Sequence, residues 1–355
     1  MADLDAPETY RRLDPSGMRG RMSSLDQQCW EAWQAARSLT LPQAYRSAKQ
    51  VVVAGMGGSA IGGDLVSDLL SLENAPPIVC WRDYGLPQWA GEDTLVVVSS
   101  YSGETEESLS AFRAALERGC KAVAVTSGGR LRALALENGV PLLPITFKGE
   151  PRSAVGWSLL GLLGLLQGLS LCTDKEESVK EAVGVLQGLA ARYGSTEEAK
   201  VMARRLQDRL VVIYGAGILQ AVARRWKTQI NENAKAWAFA EALPELNHNS
   251  IVGLPLPRVL KGRARVILLL APDFTHPRVT LRFQITQDIL AKEGVQAEEV
   301  RAEGKGPLAQ VLSTLCLGDW VSYYLALLYD ADPSPVPVID YLKAALTRAA
   351  QAPEL

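Results

Sequence analysis

Histidine is nearly absent from this chain: among 355 residues only His248 and His276 carry an imidazole. A zinc centre built from imidazoles and thiolates needs several such ligands close together, so none is expected. Cysteine is sparse too, with Cys29, Cys80, Cys120, Cys172 and Cys316 widely spaced, odd in number and without a C-x-x-C pair. That usage argues against a disulfide framework and for reduced thiols in a cytoplasmic protein. Neither sign of charge dominates: 37 Lys and Arg stand against 39 Asp and Glu, a formal net charge of -2. Such a balance lacks both the basic footprint of a nucleic-acid binder and the polybasic handle of a membrane-surface protein. The first residues, Met1-Ala2-Asp3-Leu4-Asp5, are acidic and include no apolar core segment, so they are not expected to act as a signal peptide.

Long apolar runs are also scarce. One leucine-rich stretch, 154–171, approaches membrane-spanning length, but Gly156, Ser158, Gly161, Gly164, Gln167 and Gly168 interrupt it. Small residues at helical spacing suit a helix packed tightly in a core or a dimer interface, and that is the expectation. What is present is ordinary for a folded protein. Hydrophobic residues make up 48% and charged residues 21%, in a length that accommodates two domains or one large α/β body.

An amphipathic helix is predicted over 25–48, capped by Ser24 or Asp26, with Cys29, Trp30, Trp33 and Ala36 near one face. Strands follow at 50–54, 78–81, 95–99, 122–126 and 140–145, with helices at 60–71 and 105–117. This alternation predicts a parallel, doubly wound sheet. The plan then recurs. The run from Leu210 to Gly217 matches that from Val51 to Gly57 in style, with Gly215 standing 160 residues after Gly55. Arg265 to Leu270 takes the place of the strand at 95–99, and a charged helical segment joins the halves. The expected division is a first subdomain over 1–172, a connecting helix over 173–204 and a second subdomain over 205–355.

Two loops carry the chemistry. Gly55-Met56-Gly57-Gly58-Ser59 follows Val51-Val52-Val53-Ala54, and Ser100-Tyr101-Ser102-Gly103-Glu104-Thr105 follows Leu95-Val96-Val97-Val98. Each precedes a helical sequence, so backbone N–H groups, hydroxyls and a positive dipole end gather around one point, which favours an anion. The pattern Gly55-x-Gly57-x-x-Ala60 also satisfies the permissive dinucleotide fingerprint, with Asp83 as a candidate acidic partner. A dinucleotide fold gives no role to the serine-rich turn, however, so a phosphosugar site is favoured over NAD. The second half has no Ser/Thr-rich loop after either strand, and only the first half is expected to hold phosphate.

The serine turn after a Gly-x-Gly-Gly-Ser loop resembles the sugar isomerase (SIS) domain. Further blocks are Asp14-Pro15-Ser16-Gly17-Met18, Pro151-Arg152-Ser153-Ala154, Asn231-Glu232-Asn233-Ala234-Lys235 and Pro244-Glu245-Leu246-Asn247-His248-Asn249. With Pro335-Val336-Pro337-Val338 running into Tyr341-Leu342-Lys343, they extend the resemblance over nearly the whole chain. They also narrow it to the bifunctional phosphoglucose/phosphomannose isomerase family of the phosphoglucose isomerase superfamily.

The resemblance implies two SIS-type subdomains, each a doubly wound parallel α/β sheet flanked by helices. It implies an aldose–ketose isomerase interconverting glucose 6-phosphate and fructose 6-phosphate, with mannose 6-phosphate as a further substrate, through a cis-enediol. Glu232 would be the base, His248 the ring-opening group donated across a homodimer interface, Arg152 the cation steadying the enediolate, and Lys343 a second aid to ring opening. Gly57, Gly58, Ser59, Ser100, Ser102 and Thr105 would hold the phosphate. This route requires no metal and no organic cofactor.

Without the resemblance the same residues have plainer roles. Glu232 would be a solvated helix-face carboxylate, His248 a loop imidazole bonded to backbone, Lys343 a solvent-facing lysine and Thr105 a helix cap. Arg152 would lie at the N-terminus of the helix at 154–171, where the dipole disfavours a cation unless it serves an anion. His276, beside Pro277, is expected at the surface. A non-catalytic sugar-phosphate sensor would keep the loops but not Glu232, His248 and Lys343. Two departures from the family pattern matter. Glu104 replaces a common Asn and is expected to point away from the phosphate. Val336 replaces the Thr of a Pro-Thr-Pro-Val element and loses a hydroxyl at nearly constant volume. That loss weighs against turnover of mannose 6-phosphate more than of glucose 6-phosphate.

Overall fold

The computed structural model describes residues 2–254 and 256–351. Three helices come first: α1 (Pro7–Leu13), α2 (Met18–Ser23) and α3 (Leu25–Ser38). The helix predicted over 25–48 stops at Ser38, where the chain turns extended at Leu39. Pro42 cannot continue a helix, and a 3-10 turn at Gln43–Ser47 completes the segment.

The first sheet contains β1 (Gln50–Ala54), β2 (Ile78–Trp81), β3 (Thr94–Ser99), β4 (Lys121–Thr126) and β5 (Leu142–Pro144). Helices α4 (Ile61–Leu70), α5 (Glu106–Glu117) and α6 (Gly129–Glu137) connect them. All strands are parallel in the order β2-β1-β3-β4-β5. A π-helical turn at Trp157–Gly161 leads into α7 (Leu162–Gly168). The connecting segment is two helices rather than one, α8 (Glu176–Ser195) and α9 (Glu198–Leu206), parted where Thr196 is extended.

The second sheet contains β6 (Leu210–Gly215), β7 (Ala238–Ala242), β8 (Ala264–Leu270) and β9 (Gln296–Arg301), parallel in the order β7-β6-β8-β9. Its helices are α10 (Gln220–Asn233) and α11 (Pro277–Lys292), followed by α12 (Pro307–Leu328) and α13 (Pro337–Gln351). Strands β6 and β8 occupy the places of β1 and β3, as the repeat predicts. In each sheet the chain reverses its direction of winding between those two strands. Ligands of open parallel sheets bind in the crevice beyond the strand ends at that reversal. Both loops of the first half open there.

Alternation along the strands sorts the core into layers. Val51, Val53, Leu95 and Val97 face a central core that also takes Val211, Ile213, Ile267 and Leu269 from the second sheet. Val52, Ala54, Val96 and Val98 face outward, onto Leu109 and Phe112 of α5 and Leu131 of α6. Helix α12 runs through the centre, buried from Leu308 to Leu328. It is long and apolar enough to cross a bilayer, yet protein encloses it throughout. Its one carboxylate, Asp319, accepts from Arg225 Nη2 at 2.8 Å and Nε at 3.1 Å, so the buried charge is paired.

The apolar stretch at 154–171 is likewise a packing element. A Cβ on Gly164 would lie 2.7 Å from that of Ala36, and one on Gly62 of α4 would lie 2.2 Å from the Ser158 carbonyl oxygen. These glycines let α3 and α4 press onto the 157–168 segment. Gly62→Ala meets backbone rather than a flexible side chain, so it is expected to destabilise the fold by about 1–3 kcal/mol. Urea unfolding would measure the loss, and an unchanged midpoint would show that α4 is not held so closely.

Candidate active site

The two loops meet. The Tyr101 N–H donates to Ser59 Oγ at 3.1 Å, fastening the turn after β3 to the loop after β1. Ser100 is buried. Its hydroxyl donates to Thr105 Oγ1 at 3.0 Å and accepts from the Gly103 N–H at 3.1 Å, so it shapes the turn from inside. Gly103 has φ +73°, and a Cβ there would fall 1.9 Å from the Gly128 carbonyl oxygen, so only glycine fits. Thr105 sits at the N-cap of α5 without a side-chain cap bond, which sets aside the helix-cap role for its hydroxyl. Having accepted from Ser100, its O–H remains able to donate outward. Ser102 is exposed, and its Oγ accepts only from the Glu104 N–H at 3.2 Å among the described residues. First-turn N–H groups of α5 have no intrahelical acceptor, and together with these hydroxyls they make a point suited to an anion. Glu104 turns toward α6. Its carboxylate takes Arg130 N at 2.8 Å and Nε at 2.7 Å, and Arg130 holds it below the usual carboxylate range.

The glycine loop also touches Arg152. A Cβ on Gly58 would lie 2.7 Å from Arg152 Cα, so the backbone of the 151–153 turn rests directly on the loop. The Arg152 side chain is buried, the residue being only 2% exposed. Its Nε donates to Asn233 Oδ1 at 2.7 Å, and its Nη2 donates to the carbonyls of Pro333 at 2.6 Å and Ser334 at 2.8 Å. A guanidinium has five N–H groups. Three are used here, and the remaining two are on Nη1, which lies 3.5 Å from Glu232 Oε2. Burial pulls the Arg152 pKa below the ordinary guanidinium value, and Glu232 acts in the opposite direction. The end of this buried cation left free by the hydrogen bonds therefore faces the Glu232 carboxylate.

Helix α10 delivers Glu232 at its last turn and is fastened along its length. Asp68 of the first half accepts from the Ala221 N–H at 2.7 Å. Trp226 Nε1 donates to the Thr314 carbonyl at 2.8 Å, and the fully buried Asn233 donates to Ser322 Oγ at 2.9 Å. Just past the helix, Lys235 lies in the left-handed region at φ +56°. Its ammonium donates to the carbonyls of Glu232 at 2.5 Å and Pro333 at 3.1 Å.

His248 ends a 3-10 turn, Glu245–His248, after β7. The imidazole is exposed and makes no hydrogen bond among the described residues, against the backbone-bonded alternative. Its neighbours fix the turn: Asn247 Nδ2 donates to Thr286 Oγ1 at 2.9 Å, and Asn249 Nδ2 to Glu245 Oε1 at 2.6 Å. His276 is at the surface, where its Nδ1 accepts from the Arg278 N–H at 3.1 Å and caps α11. The Val336 carbonyl accepts from the Ile339 N–H at 2.9 Å, so Val336 starts α13. Lys343 lies on that helix, whose face with Val338, Tyr341, Leu342 and Leu346 is exposed.

Direct contacts thus join Gly58, Ser59, Ser100, Thr105, Arg152 and Glu232 into one site. His248, on its turn after β7, stands outside that chain of contacts. Sequence reading expected the Asn residues flanking Glu232 to orient its carboxylate, whereas Asn233 holds Arg152 and Ser322. It gave no role to Tyr101 and Lys235, though both stand inside the motif blocks, or to Ser322. It also missed the carbonyls of Pro333 and Ser334, which carry no side-chain signal at all. The block Asp14 to Met18 proves to be a brace: Asp14 accepts from the N–H groups of Met18 and Arg19 and from the Tyr323 hydroxyl.

Residues 195–346 match the family model for the bacterial phospho-glucose isomerase C-terminal SIS domain. The chain is 37% identical over 326 residues to the bifunctional phosphoglucose/phosphomannose isomerase of Caldicellulosiruptor bescii, covering 90% of this chain and 96% of that one. It is 38% identical over 306 residues to the protein of the same name from Aquifex aeolicus, covering 85% and 92%. A hypothetical protein of Thermus thermophilus shares the fold, with a TM-score of 0.76 over 98% of this chain and 94% of that one at 17% identity. On these grounds the chain belongs to the bifunctional phosphoglucose/phosphomannose isomerase family.

Proposed function

We propose that this protein is an aldose–ketose isomerase that interconverts glucose 6-phosphate and fructose 6-phosphate. The observation that carries the proposal is the pairing of Glu232 with the uncommitted Nη1 of a buried Arg152, next to loops suited to an anion. The phosphate sits among Gly57, Gly58, Ser59, Ser102 and Thr105, with Ser100 holding the turn. Ring opening by His248 and Lys343 exposes C1 and C2 of the sugar. Glu232 then takes the proton from C2 and returns it to C1, and Arg152 offsets the charge that develops on the enediolate oxygen. Every group named is a side chain or backbone N–H of the protein, and the scheme uses no metal or organic cofactor.

The protein acts as a cytoplasmic homodimer in this reading, with His248 supplied to the partner's site. Support comes from an exposed imidazole on a turn its neighbours hold in place, and from the exposed apolar face of α13. A non-catalytic sensor is not favoured, because such a protein has no use for Glu232 facing Arg152.

Glu232→Gln removes the base but leaves the loops intact. It is expected to lower kcat by a factor on the order of 10³ or more while sugar-phosphate binding stays near normal. Steady-state kinetics with calorimetric binding would test this, and undiminished turnover would sink the assignment. Val336 bears on the choice between the two sugar phosphates. Assayed in parallel, the wild type is expected to turn over glucose 6-phosphate faster than mannose 6-phosphate. Val336→Thr restores a hydroxyl at the start of α13, where it can also cap the helix for about 0.5–1 kcal/mol. The variant is expected to gain mannose 6-phosphate activity selectively, and an unchanged ratio of the two rates would exclude this position as a specificity determinant.

A further inference from the structure

Position 235 is where a helix end usually carries glycine, because a left-handed residue with a Cβ is disfavoured. Lysine stands there instead, at φ +56°. A lysine that merely capped α10 would bond the last carbonyls of its own helix. This one does so at Glu232 and also reaches the Pro333 carbonyl, 98 residues on in sequence. Arg152 Nη2 donates to the same Pro333 oxygen at 2.6 Å. Two cations from opposite halves of the molecule thus converge on one carbonyl, and the Glu232 carboxylate lies against one of them, Arg152.

We infer that Lys235 is a positioning residue for the proposed isomerisation. Its ammonium clasps the backbone of Glu232 to the Pro333 carbonyl that Arg152 also holds, and so sets the placement of the Glu232 carboxylate relative to the Arg152 guanidinium. The inference rests on the isomerase reading. It adds a residue that this reading does not use, and a link from the base to the segment that leads into Val336 and α13.

The charge is kept where it is costly. Partial burial and then the neighbouring Arg152 push the Lys235 pKa down from its ordinary 10.5 to about 8, while Asp332, Glu232 and Glu150 act in the opposite direction. These are the charged groups that face it from the 151–153 turn, from α10 and from the segment before Pro333. A lysine with a depressed folded pKa holds fewer protons folded than unfolded between about pH 8 and 10.5, so its contribution to stability rises across that window. The clasp behaves oppositely, since a neutral amine is a weaker donor to carbonyls than an ammonium. Rising pH should therefore loosen the clasp while relieving the cost of the charge.

The test uses the full-length protein, Lys235→Met and Lys235→Arg, each assayed for isomerisation of glucose 6-phosphate from about pH 6 to 10, a range that brackets the titration. Lys235→Met is expected to lower kcat about tenfold with KM changed by less than about twofold, because the base is misplaced while the phosphate loops are untouched. Its thermal midpoint near neutral pH should not fall, which separates a positioning role from a structural one. Wild-type kcat should decline above about pH 8. Lys235→Arg, whose guanidinium stays charged, should abolish that decline up to about pH 10. Wild-type kcat in Lys235→Met, or an alkaline decline that stays in place in Lys235→Arg, would overturn the inference. If Lys235→Met does not fold, the Lys235→Arg profile decides alone. A wild type that does not isomerise sugar phosphates overturns the functional reading itself, a result distinct from active wild type with an indifferent Lys235→Met.

Discussion

The site depends on one buried cation. Taking the Arg152 guanidinium out of water is costly, and that cost is offset only if its N–H groups find acceptors. Those acceptors come from Asn233 at the end of α10 and from the carbonyls of Pro333 and Ser334 beyond α12. Neither set lies in the half of the chain that supplies Arg152. Satisfying this charge therefore requires both halves to be docked and the C-terminal segment to be laid across them. Because the 151–153 turn also rests on Gly58, the same requirement sets the distance between the glycine and serine loops and Glu232.

The two halves share a plan and have divided the labour. Both sheets reverse winding at equivalent strands, so both have a crevice at the ends of β1 and β3 or of β6 and β8. The first half fills its crevice with glycines and hydroxyls. The second half instead uses α10, the helix leaving its equivalent crevice, as a rigid carrier for Glu232. Rigidity comes from bonds along the helix: Asp68 at its start, the buried Arg225 to Asp319 pair, Trp226 in the middle and Asn233 at its end. The position of Glu232 is thereby held by contacts spread along the whole of α10.

Much of the fold was legible because it is written in local periods. Strands β1, β3, β4, β6 and β8 are rich in aliphatic residues, and residues on both of their faces are buried. The departures have equally physical causes. Helix α3 ends early because Pro42 lies ahead, and the connecting segment breaks at an extended Thr196 within otherwise helical sequence. Helix α12 is apolar on all sides because it is the centre of the molecule. Such a pattern reads the same in water-soluble cores and in bilayers, so composition could not distinguish them.

Residue types and short spacings determined the form of the two loops, since glycines, hydroxyls and a helix start act within a few residues of one another. Repulsion between a carboxylate and an anion gave the expectation that Glu104 points away from a phosphate, but its partner, Arg130, came only from the fold. Tertiary structure alone decided which end of Arg152 stays uncommitted, because that depends on two backbone carbonyls 181 and 182 residues away. It alone placed Lys235 between Glu232 and Pro333, and showed Ser100 turned inward. A backbone oxygen has the same chemistry at every position, so no sequence pattern marks the one that will bind a cation. Only the folded chain brings the two together.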